Sequence, residues 1–127
     1  MSYHKLEIYN VSFELFAEAH QISFVLPKYE LHELGSQLRR SADSVNSNII
    51  EGYGRRMYKQ DFLRFLRMSH SSCDETSNHI KKIMRVYPDL ETARFDELNE
   101  KYISLSVQIH NFIEYVFIEY VKNNWRT

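Results

Sequence analysis

QLRRSADSVNSNIIEGYGRRMYKQDFLRFLR, residues Gln37 to Arg67, holds two of the chain's three glycines, as Gly52-Tyr53-Gly54. Glycine tolerates the backbone angles that end a helix, so this spot predicts a turn between two long helices laid side by side. The same stretch concentrates positive charge. Arg39, Arg40, Arg55, Arg56, Lys59, Arg64 and Arg67 stand against Asp43, Glu51 and Asp61, in a chain whose net charge is only −1. Charge is therefore segregated along the sequence.

Outward from this stretch, punctuation is sparse: Pro27, Gly35 and Pro88 complete the set of helix breakers. Long uninterrupted segments between so few breakers favour helices. A first helix from about Lys5 to Phe24 is predicted with Leu6, Tyr9, Phe13, Phe16 and His20 or Phe24 inward, in steps of three and four. A second, from about Glu30 to Glu51, places Leu31, Leu34, Leu38, Ala42, Val45 and Ile49 on one stripe. A third, from about Tyr58 to Tyr87, turns Phe62, Phe65, Leu66, Ser69, Cys73, Thr76, Ile80 and Ile83 inward. After Pro88-Asp89, a last helix from about Leu90 to Lys122 presents Phe95, Leu98, Tyr102, Leu105, Ile109, Phe112 and Val116. Four amphipathic helices with short connections predict an all-α fold, an antiparallel up-down-up-down four-helix bundle in a single domain over residues 1–127. Its core should include Leu34, Leu38, Val45, Phe62, Leu66, Ile80, Leu105 and Ile109.

Composition agrees with a folded domain. Hydrophobic residues make up 43% and charged residues 26% of 127 residues, outside the disordered class. No apolar run approaches the ~18 residues of a membrane span, so no membrane partner is expected. The opening MSYHKLEIYN lacks a basic region followed by an apolar block, and a lone cysteine makes no internal disulfide. Both features point to the cytoplasm.

The last helix departs from a simple bundle pattern. Residues 112–121 read FIEYVFIEYV, apolar around most of the circumference, whereas a bundle core buries one stripe. Tyr115, Phe117, Ile118 and Tyr120 are accordingly expected to form an oligomer interface; half-exposed aromatics near a chain end are the plainer alternative.

Catalytic and cofactor signatures are missing from the sequence. No Glu-x-x-His pair sets up a di-metal site, and His4, His20, His32, His70, His79 and His110 are spread singly, so neither a metal nor a cofactor is expected. No phosphate-binding glycine loop or nucleophile elbow occurs. Arg64 and His70 resemble the Arg-x(4 to 6)-His pair of helical ribonucleases of the HEPN type. Six positions of helix, however, rotate the two side chains roughly 120° apart. A non-enzyme is therefore expected, with no catalytic residue.

The basic cluster carries a better functional signal. Arg39, Arg40, Arg55, Arg56, Lys59, Arg64 and Arg67 interleave with Tyr53 and Tyr58, and arginine beside aromatic rings suits phosphate contact plus base stacking on RNA or DNA. Pairing of the same arginines with Glu51, Glu75 or the acidic last helix, within or between subunits, is the structural alternative.

At this point the residues resemble a known family. Pro27-x-x-Glu30, Leu34, Gln37-Leu38-Arg39-Arg40-Ser41-Ala42, Ser44, Asn48-Ile49-Ile50-Glu51-Gly52, Gly54-Arg55-Arg56, Asp61-Phe62, Phe65-Leu66 and Ser72-Cys73-Asp74-Glu75 are similar to the bacterial four-helix bundle proteins called 23S rRNA intervening-sequence proteins. The resemblance implies a ring-shaped homopentamer and, in some relatives, a coding origin within insertions in the large ribosomal RNA gene. A related branch, the accessory proteins of diversity-generating retroelements, implies a basic surface that binds nucleic acid and a reverse transcriptase. Where many relatives carry Ser or Thr ahead of the third helix, this chain has Met57-Tyr58. The reading is thus a homo-oligomeric bundle with an RNA-binding basic surface around helices 2 and 3. A purely structural or protein-interaction module is the rival, and a ribonuclease using Arg64 and His70 the more distant one.

Overall fold

A computed structural model of the chain describes residues 6–119. Four α-helices follow one another: α1 (Glu7–Ser23), α2 (Leu34–Gly54), α3 (Lys59–Val86) and α4 (Thr92–Glu119), with a 3-10 turn at Lys28–Glu30. Among the described residues there is no strand. Hydrogen bonds across the seams show how the helices run. Along α2 and α3, Val45 O accepts from Ser69 Oγ at 2.6 Å, and Ser41 Oγ from Thr76 Oγ1 at 2.9 Å, so partners descend along one helix as they ascend along the other. The same reversal holds for α3 and α4, where Cys73 Sγ donates to Tyr102 O and Ser77 Oγ to Asn99 Oδ1. It holds again for α1 and α2, where Asn46 Nδ2 and Arg39 Nη1 donate to Ser12 and Ser23. Successive helices therefore run in opposite directions, in the geometry of a four-helix bundle.

Leu38, Val45, Phe62, Leu66, Ile80, Leu105 and Ile109 all lie fully buried where the helices meet. Leu34 is a correction. It begins α2 and packs only partly against the core, because the second helix starts there rather than at Glu30. Leu31, also expected inside, sits exposed in the preceding turn.

The first helix is in a different register from the expected one. Its buried residues are Ile8, Ser12, Leu15, Ala19, Ile22 and Ser23, and not the aromatic stripe. Phe13 and Phe24 are 51% and 54% exposed. The aromatics instead form a ladder on the flank, with ring centroids 5.9 Å apart for Tyr9 and Phe13, 5.9 Å for Phe16 and His20, and 5.1 Å for His20 and Phe24. Small Ser and Ala side chains let α1 approach α2 closely enough for Asn46 to reach Ser12, which bulky rings on that face would prevent.

The glycine turn is displaced as well. Helix α2 continues through Gly52 and Gly54, and neither glycine has a positive φ. The chain reverses over Arg55–Tyr58. Gly52 serves close packing: a Cβ there would lie 3.1 Å from Phe65 Cβ and 3.3 Å from Phe62 O. Tyr58 caps α3 in an extended conformation with no side-chain hydrogen bond, as expected from the absence of Ser or Thr at that point.

At the opposite end, Tyr87 Oη donates to the largely buried Glu30 carboxylate at 2.5 Å, tying the α3–α4 turn to the 3-10 turn.

Candidate nucleic-acid interface

The α2–α3 turn brings the two surfaces predicted from sequence to one end of the bundle. Lys59 Nζ lies 4.5 Å from the centre of the Phe117 ring, so the basic turn and the apolar end of α4 adjoin. Around that contact, Met57, Tyr58, Tyr115, Phe117 and Ile118 are all exposed. Their helical neighbours Ile113 and Val116 are buried, so α4 does present apolar side chains both to the core and to solvent. Tyr120, the fourth predicted interface residue, lies outside the described residues.

Within the basic cluster the structure sorts the arginines into different environments. Arg39 locks the α1–α2 corner: its guanidinium donates to Ser23 Oγ at 2.8 Å and Leu31 O at 2.7 Å, and lies over the Phe24 ring. Arg55 pairs with Glu51 at 3.2 Å and approaches Asp61 at 3.9 Å, while Arg64 approaches Asp61 at 3.8 Å. Both stack on Phe65, at 5.0 and 4.5 Å from its ring centre. Arg56 donates to Tyr53 O and covers the Tyr53 ring at 4.2 Å. Tyr53 itself is buried, edge-on to Phe62, so it lies in the core rather than as a platform for a base. Tyr58, 66% exposed, is the aromatic ring that the turn offers to solvent.

Arg40 and Arg67 differ from the rest. Both are exposed, and neither makes an ion pair or hydrogen bond among the described residues. Arg67 borders an open depression of about 680 Å³ along the outer face of α3, with Gln60, Asp61, Arg64, Met68 and Ser71. Sequence reading stopped short of Lys81, Lys82 and Arg85, three more exposed cations on the last turns of the same helix. Their spacing of three and four residues was a legible sign of one helical face.

Arg64 and His70 do not converge. His70 faces α4, where Ser106 Oγ lies 3.1 Å from its Nε2 and donates to Asp74 Oδ1 at 2.8 Å. Arg64 points to Asp61 and Phe65 instead. Burial pushes the Cys73 thiol up to about 12, so it stays protonated as a packing group. Among the described residues, no group of three or more His, Cys, Asp or Glu side chains is placed to hold a metal ion. No described helix is long and apolar enough to cross a membrane.

Comparison with solved structures supports the architecture. A protein of unknown function from the S23 ribosomal protein family of Bacteroides thetaiotaomicron matches with a TM-score of 0.73, over 84% of this chain and 97% of that chain, at 18% identity. At that identity the likeness speaks for the fold alone. Among curated proteins, none matches the chain in sequence. The 23S rRNA-intervening sequence protein model matches residues 4–111, and on that match over most of its length the chain belongs to this family.

Proposed function

We propose that the protein is a non-enzymatic, cytoplasmic, self-associating bundle that binds RNA through a basic surface on α2 and α3. The observation that carries this reading is the state of Arg40 and Arg67: exposed cations with no ion-pair or hydrogen-bond partner among the described residues, on the two helices that flank the turn. A guanidinium without a carboxylate can take a phosphate without first breaking a pair. Arg56, Tyr58 and Lys59 extend the surface around the end of the bundle. The patch is modest in a chain of net charge −1, so affinity comes from repetition: each subunit of an oligomer contributes a copy, and linked weak contacts act together.

The structural reading has its own support in Arg39, Arg55 and Arg64, which are already engaged inside the chain. Fluorescence anisotropy against structured RNA, single strands and duplex DNA over a salt series separates the two. Arg40→Ala and Arg67→Ala should weaken binding to all sequences and lower the salt slope by about one each, leaving the assembly intact. Absence of binding by the parent at low salt would leave the structural reading in possession.

A further inference from the structure

The outer face of α3 runs well past the depression beside Arg67, and, on the reading that the protein binds RNA, its charge pattern selects the form of RNA. From Arg64 through Arg67, Ser71, Glu75 and Asn78 to Lys82 and Arg85, residues three or four apart are all exposed, so they make one stripe along an uninterrupted helix. The stripe is cationic at both ends. Arg67, Lys82 and Arg85 make no ion pair or hydrogen bond among the described residues, and neither does Lys81 on the flank.

Between Arg67 and Lys81 the helix carries no lysine or arginine. Asp74 and Glu75 stand there instead, each with 62% of its side chain exposed, Asp74 accepting from Ser106 Oγ and Glu75 lying 3.5 Å from His79 Nε2. Arg67 and Arg85 are eighteen residues apart, roughly 27 Å at the rise of an α-helix. Two cationic ends therefore flank an acidic middle.

A single strand laid along this stripe would carry its phosphates past both carboxylates, and like charges placed side by side repel it. A duplex gathers its phosphates into ridges with grooves between them, so ridges can meet the two ends while a groove faces the middle. A-form RNA suits that middle. Its wide, shallow minor groove displays 2′-hydroxyls, which can donate to the Glu75 carboxylate and exchange hydrogen bonds with Ser71 and Asn78. B-form DNA lacks those hydroxyls, and its repeat of about 34 Å is longer than the ~27 Å between the ends.

We infer that the stripe from Arg67 to Arg85 is a duplex-RNA surface, holding phosphates at its two ends and facing a minor groove with Ser71, Glu75 and Asn78. Recognition is then by shape and hydroxyl, independent of base sequence.

Fluorescence anisotropy of the full chain tests this with three probes: an RNA duplex of about 20 base pairs, longer than the ~16 that shape-reading domains span, an unstructured RNA single strand, and a DNA duplex of the same sequence. Far-UV circular dichroism and sedimentation check that each variant keeps the parent's helix content and mass. The parent should hold the RNA duplex roughly tenfold tighter than either other probe. Lys82→Ala with Arg85→Ala should weaken RNA-duplex binding and lower its salt slope by about two, with a smaller loss for the single strand. Glu75→Gln removes a charge that turns a single strand away, so it should narrow the preference for the duplex. A parent that binds no probe at low salt removes the RNA reading itself. A parent that binds the single strand or the DNA as tightly as the RNA duplex, a Lys82/Arg85 variant that keeps the parent's duplex affinity, or a Glu75 variant with an unchanged preference leaves RNA binding near the α2–α3 turn standing and overturns the duplex assignment.

Discussion

The α2–α3 seam and the α1–α4 seam solve the same packing problem in opposite ways. Between α2 and α3, Gly52 brings the backbones together and buried hydroxyls cross the gap, with Ser69 donating to Val45 O, Thr76 to Ser41, and Ser44 lying 2.7 Å from Ser72. Between α1 and α4, a half-exposed lysine reaches across at the surface, flanked by open grooves. Buried polar groups must be paired, so the hydroxyls fix the register of α2 against α3. A surface ion pair imposes no such requirement and is worth little. Stability is concentrated at one seam, and accessible surface is left at the other.

The largest expected effect strikes the tight seam. Phe62 is fully buried, in contact with Tyr53 and Phe112, and Phe62→Ala should cost about 3–5 kcal/mol in urea unfolding. A loss below that of a surface substitution would place the core elsewhere.

Gly52→Val adds atoms where even a Cβ would lie at 3.1 Å from Phe65 Cβ and 3.3 Å from Phe62 O, tighter than ordinary van der Waals contact. It should destabilise by roughly 1–3 kcal/mol through overpacking against Phe65 and the Phe62 carbonyl. Gly54→Ala is the control, since a Cβ at that position meets nothing within 4 Å. Equal effects at the two glycines would contradict a packing role for Gly52.

Ser69→Ala removes one buried hydroxyl from the same seam while leaving Val45 O to its own helix, for a loss of about 1 kcal/mol. Thermal unfolding measures it directly.

The smallest effect is expected at the open seam. Lys101→Met should change stability by less than about 1 kcal/mol, because the lysine and Glu18 both remain 42–45% exposed. The hydrogen bond that Lys101 donates to the Glu18 carboxylate raises the Lys101 pKa. A raised pKa means that folding favours the charged form, so this contribution is complete below the ordinary lysine value near ~10.4 and is lost as pH rises through the folded value. The gap between parent and variant should therefore hold steady across neutral pH and narrow only above that range. A gap that closes near neutrality would mean that another group is titrating.

Helix number and the inward faces of α3 and the middle of α2 were legible because each has one apolar stripe at helical spacing, whereas the ends of α2 moved from Glu30 and Glu51 to Leu34 and Gly54. Leu38, Val45 and Ile49, or Phe62, Leu66 and Ile80, offer the chain no competing face to bury, while α4 carries apolar residues on both its buried and its exposed sides. On α1 two stripes overlap at the same period. Periodicity identifies the helix but cannot choose between the aromatic ladder and the Ile8, Ser12, Leu15, Ala19, Ile22 face, since the choice depends on how near α2 must come. The arginine cluster shows the same division. The sequence by itself determined that positive charge gathers around the α2–α3 turn, because composition is local. Only the tertiary structure decided that Arg39 is an internal lock, that Arg55 and Arg64 share Asp61 and Phe65, and that Arg40 and Arg67 have no ion pair among the described residues, because an ion pair is settled by distance in space.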